Sequence, residues 1–266
     1  MTMNSIIRRV RVTDGVKLGV LCIAAAAVTA CSTTSAPDGI TPTGATGRVR
    51  LVNLITDATR GRVNASLEGV VFTVDLTYAV AAPSNLPAPA TAAYAAVYTG
   101  NRAFVLKRTA DTTVTVATLN FTIGDGEDRT VYAIGGAGGS AITRFVTTDT
   151  NPATAATETR LRIVNMSPTA GSVDVFVTAA GADLATATPR AAALAYQGAS
   201  AYFTVAPGTY QVRAVPAGTA AANRNAAVTI NLAATPALPG GTGRTIVLAN
   251  DVTGGTPLRA FVIVDR

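Results

Sequence analysis

The sequence predicts an all-β chain built as two antiparallel β-sandwiches in tandem. Three observations carry that prediction. Ala, Thr, Val and Gly dominate and charged residues make up only 14%; Thr and Val favour strands. The 24 Gly and 13 Pro supply frequent turns. One half of the chain also repeats the other in the same order, which marks a duplicated structural unit.

Residues 1–30 have the three parts of a secretory signal. Arg8, Arg9, Arg11 and Lys17 bring early positive charge, and an apolar stretch runs from Leu18 to Ala30. A bilayer core needs about 20 residues of helix, so this stretch is too short to span one. Val28-Thr29-Ala30-Cys31 then resembles the bacterial lipobox, with cleavage before Cys31 and lipid on its thiol. An ordinary signal-peptidase site would also read Val-x-Ala, but Cys22 is lost with the signal and Cys31 is the one cysteine left. A lone thiol in an oxidising compartment is otherwise a liability. Diacylglycerol on the thiol and an acyl chain on the amine meet the two-chain requirement for stable anchoring.

Ser32 stands where Asp retains well-studied Gram-negative lipoproteins at the inner membrane, so that resemblance implies the outer membrane. Residues 31–47 are expected to be the lipidated cysteine and a flexible tether, because 32–46 are rich in Ser, Thr, Pro, Gly and Ala. The expected state is an exported protein, lipid-anchored to the cell envelope.

Removing residues 1–30 takes away four cations and Asp14, leaving 17 basic against 14 acidic side chains and a net charge of +3. The remaining cations are scattered, whereas a nucleic-acid footprint clusters them on one face. Nucleic acid is therefore not an expected partner. The chain has no His, which removes the commonest general base and metal ligand together.

The duplication is read from four matches. Arg48-Val-Arg-Leu-Val-Asn53 reappears as Arg160-Leu-Arg-Ile-Val-Asn165. Tyr98-Thr-Gly100 with Phe104 is matched to Tyr196-Gln-Gly198 with Tyr202. Arg129-Thr-Val-Tyr-Ala-Ile134 is matched to Arg244-Thr-Ile-Val-Leu-Ala249, and Arg144-Phe-Val…Asp149 to Arg259-Ala-Phe-Val…Asp265. These offsets imply a Pro-rich insertion in the first copy around Ala82–Pro89 and a second insertion around Pro216–Ala226.

Sandwich domains are expected at 48–151 and 158–266, set in series on a short polar link. In the second, alternation predicts strands near 160–166, 172–178, 192–196, 200–205, 209–215, 226–232, 244–250 and 258–264. Val173, Val175 and Val177 face one way, Asp174 and Phe176 the other. Seven or eight short strands in this length give an immunoglobulin-like architecture.

The motifs Arg160-Leu-Arg-Ile-Val-Asn-Met-Ser-Pro168, Val173-Asp-Val-Phe-Val177 and Tyr202-Phe-Thr-Val-Ala-Pro-Gly-Thr-Tyr210 resemble the bacterial domain-of-unknown-function family DUF4397. The first copy departs from the pattern at Leu54–Asp57 and Arg62–Ala65. The resemblance implies a cell-envelope protein and no established activity.

No catalytic residue, cofactor site or metal site is assigned from the sequence, so Cys31 is the one modification site expected. Asp125-Gly-Glu-Asp128 is too short for a calcium loop and reads as a hairpin turn. Gly135–Gly139 lacks the following helix of a phosphate cradle and also reads as a hairpin, like Asp251–Gly255. Glycoside hydrolysis needs two facing carboxylates, and no motif points to a pair among Glu68, Glu127, Glu158 and the aspartates. A serine nucleophile would have only Lys107 or a carboxylate as base.

Arg48/Arg50 and Arg160/Arg162 each share a strand face, expected to point to solvent. Tyr98, Tyr196, Tyr202 and Tyr210 are expected in core or edge packing, with sugar stacking the alternative. The function expected is a non-catalytic envelope module for surface interaction, adhesion or structure. The alternative is a periplasm-facing lipoprotein that binds glycan or assists envelope assembly, and its mark would be a concave aromatic and arginine patch at a sandwich edge. The expected partners are the membrane, through the lipid, and an unknown envelope glycan or protein.

Overall fold

The computed structural model describes residues 44–83 and 93–266. The signal, Cys31, most of the tether and most of the Pro-rich Ala82–Pro89 segment lie outside the described residues. Ala36–Arg266 forms one compact unit, and its described residues make two all-β halves.

The first half contains β1 (Thr46–Ile55), β2 (Val63–Leu67), β3 (Val70–Leu76), β4 (Val80–Ala82), β5 (Ala95–Tyr98), β6 (Gly100–Arg108), β7 (Asp111–Ile123), β8 (Asp128–Gly135) and β9 (Ile142–Asp149). One sheet runs β4-β1-β8-β9, with β5 also on β1, and faces a second sheet ordered β3-β2-β6-β7. Val63, Ala65 and Leu67 alternate inward from β2 and meet Val49, Leu51, Phe104, Leu106 and Val131 in a dry core.

The second half repeats the plan with β10 (Thr159–Asn165), β11 (Val173–Thr178), β12 (Ala191–Leu194), β13 (Gly198–Ala199), β14 (Phe203–Val205), β15 (Gln211–Pro216), β16 (Ile230–Leu232), β17 (Thr242–Ala249) and β18 (Arg259–Val264). Its sheets are β13-β10-β17-β18, with β14 on β10, and β12-β11-β15-β16. Val173, Val175 and Val177 enter its core. Phe176 points the opposite way, as alternation requires.

The expectation of purely antiparallel sheets fails at one pair in each half. β1 pairs with β8 in parallel, and β10 with β17. The cause lies in the connection before β8: β7 belongs to one sheet and β8 to the other. Asp125-Gly-Glu-Asp128 therefore carries the chain across the sandwich and is not a hairpin turn. Gly135–Gly139 does join antiparallel neighbours, β8 and β9, and Asp251–Gly255 joins β17 and β18.

Strand register corrects one of the four sequence matches and shifts the arginine of another by one place. Tyr98 ends β5, which pairs with the start of β1, whereas Tyr196 precedes β13, which pairs with the end of β10. The counterpart of Tyr196 is Tyr78, just before β4, and that of Tyr202 is Tyr94, just before β5. The wrong match arose because Tyr-x-Gly is a common turn pattern and the alignment had no register to constrain it.

Apart from Arg144, which falls at Ala260 and not at Arg259, the other matches hold, and the first-strand match holds to the level of single atoms. Asn53 donates from its amide to Gly61 O and Leu76 O, while its Oδ1 accepts the Ile55 N–H. Asn165 does the same with Gly171 O, Leu194 O and the Ser167 N–H. Asp75 and Ala193 take equivalent positive φ values of 51° and 47°. Their N–H groups are held by Asn64 and Asp174 respectively, so a side chain on the neighbouring strand fixes the bulge in both copies.

The halves do not sit in series with a loosely held link. The faces of the β1-β8-β9 and β10-β17-β18 sheets that point away from their own cores pack on each other. Val52, Leu54, Tyr132 and Ile134 meet Val164, Met166, Val247 and Ile263 there, with Tyr78, Tyr196, Phe145 and Phe261 around them. The link is tied down as well: Asn151 donates to Asp128, and Gly241 N–H to Ala155 O and Glu158 O. At one end of this seam the two glycine hairpins touch. A Cβ on Gly254, whose φ is +90°, would come within 2.8 Å of the Ala137 Cβ, so the approach of the hairpins requires glycine.

Candidate functional site

Two polar constellations stand out: an ionic cluster inside the seam and a groove on the first half. The cluster begins with the Arg-x-Arg pairs. Arg50 is fully buried and Arg162 is 2% exposed, contrary to the solvent-facing placement expected. Each reaches the opposite half. Arg50 Nη2 lies 2.9 Å from Asp265 Oδ1, and Arg162 Nη2 lies 2.6 Å from Asp149 Oδ1. Since Arg50 matches Arg162 and Asp149 matches Asp265, the two pairs are related by an approximate two-fold axis. A second contact, Arg50 to Asp149 at 3.7 Å, closes the cluster.

Hydroxyls complete the site. Thr130 and Thr245, at equivalent positions of β8 and β17, donate to Asp149 and Asp265 respectively, and Tyr94 OH donates to Asp149 Oδ2 at 2.7 Å. The Arg50 guanidinium lies 4.5 Å from the Tyr94 ring centre, and that of Arg162 4.9 Å from Tyr202. Burial by itself pushes the Asp149 carboxyl upward, but Arg162 and Arg50 outweigh it and hold the group below its ordinary range. Burial likewise works against the charged form of both arginines. The facing Asp265 and Tyr94 for Arg50, and Tyr132 and Asp149 for Arg162, raise them instead. Burial carries the Tyr132 hydroxyl up to about 12. The cluster holds its charges fixed and engages both of its carboxylates.

The remaining sequence candidates are accounted for locally. Asp128 binds Arg48 through two hydrogen bonds of 2.7 and 2.6 Å. Asp125 accepts the Thr46 N–H, and Glu127 accepts the Gly124 N–H and the Arg129 guanidinium. These oxygens face the protein and shape the crossing. Lys107 is exposed on β6. Tyr196 packs at the seam, Tyr202 lies 3.7 Å from the Arg160 guanidinium, and Tyr210 OH donates to Ala206 O. Tyr98 is 41% exposed. Among the described residues, no three His, Cys, Asp or Glu side chains gather as metal ligands would, and no helix is long and apolar enough to cross a membrane.

The groove escaped the sequence reading because its residues come from four strands. It has a volume of about 800 Å³ and lies at the open edge of the first sandwich, where β6 and β7 of one sheet meet β8 and β9 of the other. Arg102, Arg129 and Arg144 line it, with Asn101, Asn120 and Phe121. Arg102 pairs with Glu68 at 2.5 Å and Arg129 with Glu127 at 2.8 Å.

Architecture and site together define a tandem β-sandwich protein whose halves close on each other through a duplicated ionic seam. Residues 47–176 match the model described as "Domain of unknown function (DUF4397)", and this part of the chain belongs to that family. The match covers the first half and runs on through β10 and most of β11, so it centres on the copy whose motifs looked the more divergent. No curated protein matches the chain. Among solved structures, a leucine-rich repeat protein from Bacteroides thetaiotaomicron is 11% identical with a TM-score of 0.18, over 76% of this chain and 25% of that one. The chain thus spans about a quarter of that protein, and so low a score carries no argument about this one.

Proposed function

We propose that the protein is a non-catalytic, lipid-anchored module of a bacterial cell envelope that acts by binding. The observation that carries this reading is the fate of its buried acids. Asp149 and Asp265 are tied to the seam arginines, Asp128 to Arg48, and Asp174 to the Ala193 and Gly218 N–H groups. Each serves the architecture. The groove, in contrast, is open to a ligand. The lipobox at Val28–Cys31 supplies the anchor in this proposal, with the outer membrane as its site. Cys31→Ser should release the protein from the membrane fraction or leave it unprocessed; a variant that still fractionates wholly with membranes would sink the anchoring claim.

The groove also favours a second reading, a periplasm-facing lipoprotein that holds an envelope glycan. Its three arginines and one aromatic, Phe121, at a sandwich edge support this reading, whose mark is a concave aromatic and arginine patch. Protease added to intact cells separates the two: digestion places the module on the cell surface, and protection places it in the periplasm.

A further inference from the structure

We propose that the groove on the first half is a docking site for a carboxylated oligosaccharide, an inference that rests on the reading of the protein as a binding module. The argument starts from strand alternation. Arg129 shares its face with Val131 and Ala133 on β8, Arg144 shares its face with Val146 on β9, and Arg102 shares its face with Phe104 on β6. Those apolar partners belong to or pack on the core of the sandwich. On β6 and β8 the core-facing row ends in an arginine, and on the edge strand β9 Arg144 interrupts it between Ile142 and Val146. Arginines in such positions are aimed at the mouth between the sheets.

Two of the three are engaged by acids. Arg144 is exposed and makes no hydrogen bond or ion pair among the described residues, although it borders the same mouth. Asn101, which also lines the groove, accepts the Thr122 hydroxyl at 2.7 Å through its oxygen, and its amide N–H groups make no hydrogen bond among the described residues. Asn120 is exposed, lines the same groove and makes no side-chain hydrogen bond among the described residues. Guanidinium and amide donors lining a groove whose core-facing side chains include Phe121 and Val146 suit a ligand with apolar ring faces, many hydroxyls and a carboxylate. Arginine meets a planar carboxylate through paired hydrogen bonds, and side-chain amides meet hydroxyls. The volume lies within the range of about 300–1,000 Å³ typical of small-ligand sites.

The second half lacks this arrangement. By register the position of Arg144 on β9 falls at Ala260 on β18. The Arg129 counterpart, Arg244, turns to Gly243 O and Arg266 O.

The test uses the full-length chain in detergent with a galacturonate oligosaccharide and the same oligosaccharide as its methyl ester, which keeps the hydroxyls and removes the charge. Calorimetry should find the acid bound at least tenfold more tightly than the ester, with the difference shrinking as salt rises. Arg144→Gln, which breaks no bond among the described residues, should remove that preference with an unchanged melting temperature, and Asn120→Ala should weaken both ligands. Equal binding of acid and ester, binding indifferent to Arg144→Gln, or no binding at all would overturn the groove assignment. Chromatography of the recovered oligosaccharide keeps the parent reading separate: a shortened chain would refute the non-catalytic module even if the groove binds, and an intact one leaves it standing whatever the groove does.

Discussion

The two halves agree where they touch each other and differ where they do not. At the seam, Arg50, Thr130 and Asp149 each have a counterpart making the equivalent contact, and the Tyr94 ring beside Arg50 is matched by that of Tyr202 beside Arg162. On the outer sheet faces the copies have parted. In the second half Phe176 is fully buried beneath the 179–190 and 217–228 loops, packed with Leu184, Val215 and Val228 and with Arg224 at 5.2 Å from its ring. Ser66 holds the matching place on β2. That face of the first half has no comparable cover among the described residues, and Val70, Val71 and Val74 of β3 stand 44%, 71% and 59% exposed. A shared interface fixes both copies at once, whereas an outer face leaves each free to close or to open.

The largest expected effect tests whether the seam is symmetric. Arg50→Met would strand Asp265, and Arg162→Met would take the nearer of its two arginines from Asp149; breaking a buried pair costs about 3–5 kcal/mol. Urea unfolding should place both variants in that range. A large loss for one and none for the other would break the equivalence of the halves.

Phe176→Ala should cost roughly 3 kcal/mol, as removal of a buried aromatic does, and speed hydrogen exchange in the 179–190 loop. Ser66→Ala at the matching place should stay within about 0.5 kcal/mol. Similar losses would mean that the outer faces are alike after all.

Asn53→Ala and Asn165→Ala each leave buried backbone groups without partners. Each should cost about 1–3 kcal/mol, and the two values should agree more closely than any other matched pair.

The smallest effect is the pH response of the seam. The folded Asp149 carboxyl lies below its unfolded value of about 3.9, so the unfolded chain binds more protons in acid. Its contribution is complete above that value and is lost as pH falls through the folded one. Thermal midpoints should therefore show no loss from this group between pH 7 and 5 and fall below about pH 4. In Asp149→Asn that part of the acid slope should disappear.

Much of this was legible in the sequence, and the failures have specific causes. Valine alternation at 173–177 fixed both strand and facing, and Arg-x-Arg-aliphatic-Val-Asn marked the first strand of each copy. The burial of Arg50 was missed because alternation separates two faces without saying what covers each. A sign was present: Val52 and Leu54 lie on the same face as Arg50, and a strand apolar on both faces is buried on both. The parallel β1–β8 pair was not readable, because Asp-Gly-Glu-Asp suits a crossing as well as a hairpin. The groove is lined from four strands spread along the first half, so no local pattern announced it. The signal and Cys31 lie outside the described residues.

The reciprocal pairs at the seam also bear on how such a chain can change by descent. The acid that satisfies Arg50 most closely lies in the sibling copy, and the same holds for Arg162. Each half therefore inherits part of its fitness from the other. A recombination event that replaced one copy with a relative's would disturb both ionic pairs, whereas replacing the two together would preserve them. Covariation between homologous sequences should accordingly link position 50 with 265 and position 162 with 149, tying the copies into one unit of inheritance.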